Sequence, residues 1–247
     1  MSTELLVAVA LLFALAALLY SSVGHGGASA YLGIMALAGI EPLVMRPTAL
    51  VLNIVVGSVA AYRFHRAGQV ELRALAPLLL GAVPLAFLGG AVVLPATAYK
   101  LLVGAVLLVA ASRLWVTAAR VDDDRPTAVP LWAAVPLGGS LGLLAGLTGT
   151  GGAIFLTPAL LFLGWAGPRR AAGLSAGFVV ANSVAGLLGN VAAVGQVPSA
   201  LGLWLPAVLV GALLGTELGV RRLSQVGLRR ALAVVLVVAG LKLILIG

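Results

Sequence analysis

Two glycine-rich breaks gather most of the residues in this chain that could do chemistry. Gly24-His25-Gly26-Gly27-Ala28 and Gly149-Thr150-Gly151-Gly152-Ala153 each follow an apolar run, and they lie 125 positions apart. A short apolar run begins straight after each break, so its first N–H groups face whatever fills the break. A helix N-terminus carries about half a positive charge and several free N–H donors, which favours an anion. Glycine also lets a ligand approach the backbone closely. Hydroxyls cluster nearby: Tyr20, Ser21, Ser22 and Ser29 at the first break, Thr148, Thr150 and Thr157 at the second. The pattern predicts an anion site drawn from Ser21, Ser22, Gly24, His25, Gly26 and Gly27 in the first half. Thr148, Gly149, Thr150, Gly151 and Gly152 are its counterparts in the second. The plainer reading is tight helix packing, as in the G-x-x-x-G steps Gly138/Gly142/Gly146 and Gly211/Gly215/Gly219.

A few other side chains add to this set. The ordinary imidazole titrates near physiological pH, so His25 is a candidate both for anion binding and for carrying a coupling proton; a hydrogen-bonded structural role is the alternative. Its counterpart in the second break is Thr150. His65 sits in an Arg-rich loop and reads as solvated. Asn53, Asn182 and Ser183 place amides and a hydroxyl within apolar runs, where they either complete an anion's hydrogen bonds or join helices. Asn190 reads as structural. Glu217 is an acidic residue well inside an apolar run, a default candidate for proton coupling, but Arg221 four residues on makes an ordinary structural ion pair the favoured reading. Gly173-Leu174-Ser175-Ala176-Gly177 spells the nucleophile elbow of serine hydrolases. That motif needs a strand-to-helix turn and a His/Asp pair; here it opens a membrane helix, so Ser175 reads as a cavity hydroxyl and no enzyme is expected.

Elements that hold such breaks must be membrane helices. Hydrophobic residues make up 62% of the 247 and charged ones 9%, against about 25% charged in a soluble domain. Apolar runs fall at about 4–21, 28–39, 47–62, 73–93 and 98–116, then about 131–147, 153–165, 171–192, 200–220 and 228–246. Most suit spans of about 20 residues, and the fold class is all-α, a polytopic integral membrane protein. The second run of each half is too short for a full span and suits a broken or re-entrant half-helix. Interrupted backbone is tolerated at membrane depth only inside protein or beside water. Cysteine is absent, and neither a cofactor nor a metal is expected. The net charge of +8 sits mostly at run ends, so it reports orientation rather than nucleic-acid affinity. The N-terminus lacks a positively charged leader, so the first run is read as a retained span.

Two further landmarks recur between the halves. Gly68-Gln69-Val70 returns as Gly195-Gln196-Val197, and Lys100 matches Arg230. The chain is therefore read as a first repeat (1–117), a cytoplasmic linker (118–130) and a second repeat (131–247). Alternating the runs from an outside N-terminus puts Arg63/66/73, Arg113/120/125, Arg169/170 and Arg221/222/229/230 inside. Only Arg46, Lys100 and Lys242 fall on the outer side. By the positive-inside rule the repeats are inverted, with both termini outside the cytoplasmic (inner) membrane. Paired breaks in inverted halves are the best sequence pointer to a transporter's binding site.

At these residues the chain resembles the sulfite exporter TauE/SafE family. The resemblance rests on Gly24-His25-Gly26-Gly27, on Gly149-Thr150-Gly151-Gly152 followed by Pro158, and on the helix from Leu174-Ser175 through Asn182-Ser183. Gly33 stands where the second half has Pro158, so the two half-helices are not equivalent. The resemblance implies secondary export of a small sulfur-containing anion such as sulfite or a sulfonate. With no G-x-x-x-x-G-K-[ST] nucleotide motif, coupling would be to the proton gradient or membrane potential. A passive anion channel is the alternative, and a homo-oligomer stays open.

Overall fold

The computed structural model describes residues 3–117, 130–190, 198–220 and 226–245. Gly195-Gln196-Val197, Arg221, Arg222 and linker residues 118–129 lie outside the described residues. The first half folds as α1 (Thr3–Ser21), α2 (Ala28–Leu37), α3 (Pro42–Arg66), α4 (Leu72–Ala91) and α5 (Ala96–Thr117). The second half gives α6 (Leu131–Thr148), α7 (Ala153–Phe162), α8 (Pro168–Gly189), α9 (Leu201–Val220) and α10 (Val226–Leu245). Among the described residues there is no strand, and seven helices are long and apolar enough to cross a membrane. Large side chains such as Leu11, Leu80 and Trp132 point outward and exposed. Spread over the outer helix faces they match a lipid-facing surface; in water they would be an aggregation hazard.

The expected short runs are the ten-residue helices α2 and α7. At about 1.5 Å per residue each covers about 15 Å, half of a hydrocarbon core of about 30 Å. Both start on a left-handed glycine, Gly27 (φ 101°) and Gly152 (φ 80°). Proline opens α3 and α8, where its missing N–H costs no hydrogen bond.

The G-x-x-x-G stripes do what the plain reading predicts. Gly138, Gly142 and Gly146 of α6 lie on the backbones of Leu78, Ala82 and Ala86 of α4. Gly211 and Gly215 of α9 lie on Ala14 and Leu18 of α1, and Gly219 on Ser22 just past its end. Both pairs are parallel and in register, and backbones this close leave no room for a Cβ. At the centre α3 crosses α8 antiparallel: Gly57 meets Val179 and Val180, while Gly186 meets Leu50. Helices of each half thus pack chiefly on helices of the other.

The ion pairs and the Lys242 contacts lie at the two ends of this bundle. At one end Arg170 pairs with Glu71, and Arg63 pairs with Glu217 at 3.2 Å. At the other, Lys242 Nζ donates to the carbonyls of Ala36 and Leu37, at 2.8 and 3.0 Å, and so caps the C-terminus of α2. The structural reading of Glu217 is supported by its ion pair with Arg63 of α3, across the halves; Arg221, the partner expected from the sequence, lies outside the described residues. With the two side chains 31% and 49% exposed, such a pair is worth at most about 1 kcal/mol. Glu217→Gln is accordingly expected to leave thermal stability and flux near parental values. A transport loss of an order of magnitude would make Glu217 a coupling group after all.

Candidate functional site

The folded chain brings both breaks to the middle of α3. Asn53, fully buried, accepts the Ala28 N–H at the start of α2 through Oδ1, at 3.0 Å. Its Nδ2 donates to the Thr150 carbonyl in the second break, at 3.2 Å. One carboxamide thus ties the first half-helix to the second break. Gly26 and Gly151 are needed around it, because a Cβ on either would collide with the Asn53 side chain. The Tyr31 hydroxyl completes the first break by donating to the Gly26 carbonyl at 2.9 Å.

A second chain of hydrogen bonds links the halves through side chains alone. His25 Nε2 lies 2.8 Å from Thr157 Oγ1 on α7, and Thr157 Oγ1 lies 2.7 Å from Ser175 Oγ on α8. His25 and Ser175 are both buried, and the Tyr20 ring sits 6.0 Å from the imidazole, centroid to centroid. Ser175 is held within the regular helix α8, not at a strand-to-helix turn. Thr157 was legible only as one of several hydroxyls. Its place between His25 and Ser175 depends on α7 folding back beside the first break.

The second break is lined differently. Ser183 Oγ would lie 3.0 Å from a Cβ on Gly151, and Phe178 reaches Gly152. Asn182 shares that face of α8, four residues after Phe178 and three after Val179, the spacing of neighbours on one helix side. Asn182 and Ser183 are completely buried, yet neither amide atom of Asn182 nor the Ser183 hydroxyl has a hydrogen-bond partner. Leaving such groups unpaired costs about 1–3 kcal/mol each. Thr148 is occupied, donating to the Leu144 carbonyl at 2.6 Å and meeting Thr150 Oγ1 at 2.9 Å.

Other expected site residues sit at the edge of this cluster. The Ser21 hydroxyl turns to the α1–α9 seam, 3.4 Å from the Ala212 carbonyl. Ser22 bonds back to the Leu19 carbonyl at 2.7 Å. Gly24 is pressed on the backbone of Ala172, and Gly149 on Arg46. Arg46 is what sequence reasoning missed. Placed at the outer face by the charge count, it is buried, and its guanidinium donates to the carbonyls of Val92 (2.9 Å), Gly90 and Leu147 (3.5 Å). It thereby caps the ends of α4 and α6 beside the second break. Among the described residues no carboxylate is buried, and Arg46 is the one buried side chain with a permanent charge.

Two glycine breaks joined through Asn53 at mid-bundle, inside a coat of apolar spans, fit a polytopic membrane transporter of broken-helix design. The sequence pattern of the family described as sulfite exporter TauE/SafE matches residues 9–243. The chain is also similar to the probable membrane transporter protein y4hK of Sinorhizobium fredii (strain NBRC 101917 / NGR234), at 38% identity over 99% of this chain and 100% of the relative. This chain belongs to the sulfite exporter TauE/SafE family. No solved structure matches it.

Proposed function

We propose that the protein exports a small sulfur-containing anion, of the sulfite or organosulfonate class, by ion-coupled alternating access, and that it is not an enzyme. The observation that carries this reading is the pair of buried, unpartnered groups, Asn182 and Ser183, beside the break that opens α7. They offer N–H and O–H donors where a helix start also directs N–H groups. A buried arginine and the absence of any buried carboxylate among the described residues favour an anion over a cation. The family's description supplies sulfite as the first substrate to test. Both breaks are closed off from solvent, which favours a carrier over an open anion channel. The two halves are read as inverted repeats, a reading supported by the antiparallel crossing of α3 and α8 and by the matched pairs α4–α6 and α9–α1. The basic end, with Arg63, Arg66 and Arg170, is then cytoplasmic and the termini lie outside the inner membrane.

The decisive experiment is flux in proteoliposomes across sulfite, thiosulfate, sulfonates and carboxylates at two pH values. Saturable uptake of a sulfur anion, driven uphill by an imposed pH gradient, is the expected result. Purely downhill, non-saturating flux would replace the carrier with a channel. His25 is the proposed proton carrier, linked through Thr157 to Ser175. His25→Gln is expected to keep downhill flux within a few-fold while losing the pH-driven component. A variant that still accumulates anion against its gradient would move the coupling elsewhere.

A further inference from the structure

The two halves contribute matching asparagines that stand in opposite states. Asn53-Ile54-Val55-Val56-Gly57 on α3 and Asn182-Ser183-Val184-Ala185-Gly186 on α8 share an Asn-x-x-x-Gly pattern, 129 positions apart. The folded chain faces them toward each other: Gly57 rests on Val179 and Val180, and Gly186, nearest to Gly146 of α6, also touches Leu50. Adding the same 129 positions to residues 50 and 51 gives residues 179 and 180. Each asparagine thus lies one turn before the glycine at which its helix crosses the other. Yet Asn53 makes two hydrogen bonds, capping the first N–H of α2 and holding the second break. Asn182 makes none, although it is completely buried.

We propose that the anion is bound by one half-site only, the one at α7, where the Asn182 amide and the Ser183 hydroxyl supply side-chain donors. At α2 the equivalent place is already filled by the protein's own oxygen, Oδ1 of Asn53, which accepts the N–H an anion would otherwise take. One oxyanion per chain follows, held asymmetrically in an otherwise two-fold arrangement. The two asparagines then have opposite duties. Asn53 is a structural clasp that stands in for a ligand. Asn182 keeps an unpaired amide at a cost in stability that only a bound acceptor relieves. This inference rests on the anion reading above and says which half of the site carries it.

The duties separate in thermal unfolding of the purified full-length protein, measured with and without sulfite and methanesulfonate. Without anion, Asn182→Leu is expected to melt higher than the parent, because it removes a buried unpaired amide at little change in size. Asn53→Leu is expected to melt lower, because it strands the Ala28 N–H and the Thr150 carbonyl; should it fail to fold, the milder Asn53→Ser takes its place. With anion, the parent and the Asn53 variant gain stability, while Asn182→Leu gains at least tenfold less apparent affinity. A lower melting point for Asn182→Leu would show that its amide is structural and overturn the proposal. So would an anion response lost at Asn53 and kept at Asn182. If neither anion shifts the parent, the anion reading fails, and the opposite signs of the two anion-free shifts still decide whether the half-sites differ.

Discussion

Gly24→Ala is expected to yield no monodisperse protein on size-exclusion chromatography of detergent extracts. Gly24 has φ +76°, and a Cβ built there would fall on the Ala172 carbonyl, with the carbonyl carbon 2.5 Å and the Cα 2.8 Å away. The left-handed conformation alone costs an alanine about 1–2 kcal/mol. The collision adds more, since the obstacle is the backbone of α8 and not a side chain that can swing aside. Overpacking of that kind costs about 1–3 kcal/mol or more, a large share of a typical stability of about 5–15 kcal/mol. Gly39 provides the control: its φ is +74°, and nothing lies within 4 Å of an added Cβ. Gly39→Ala should therefore express and elute as the parent does. If the two variants behave alike, the seat of the first break on α8 does not hold the fold together.

Gly152→Ala should separate folding from transport. Its φ of +80° carries the same left-handed cost, but the nearest atoms are Phe178 Cε1 at 2.9 Å and the Leu141 carbonyl oxygen at 3.3 Å. A ring edge can yield by a few tenths of an ångström where a helix backbone cannot, so the protein is expected to fold with a lowered melting point. The accommodation falls on the first turn of α7 and on Phe178, one turn from Asn182. On the proposed anion site, flux at matched protein amounts should drop about tenfold or more, the equivalent of about 1.4 kcal/mol of lost binding. The larger Gly152→Val should abolish it. Parental flux from a well-folded Gly152→Ala sample would remove the start of α7 from the transport site.

Much of this architecture was legible because its signals are local. Hydropathy marked every described helix to within a few residues, apart from the start of α3. There Pro42 opens the helix five residues before the purely apolar run, since Arg46 interrupts hydropathy but not helical backbone. The glycine clusters marked where α2 and α7 begin, because left-handed φ and missing side chains are properties of glycine itself. The G-x-x-x-G steps were readable as packing seams for the same reason, although not which helix each would meet.

The sequence by itself determined the class: apolar runs of span length, two glycine breaks, two short helices after them, and basic residues gathered toward one end. Those follow from side-chain polarity and backbone freedom, which each residue carries wherever it sits. Only the tertiary structure decided which polar groups meet. Asn53 reaches Thr150 across 97 positions, His25 reaches Thr157 across 132, and Arg63 reaches Glu217 across 154. It also decided which groups stay unpaired, separating Asn182 from Asn53 although their local sequences match. A hydrogen bond is set by the position of a partner to within a few tenths of an ångström. In a buried interior that position comes from how distant helices stack, and no local pattern encodes it.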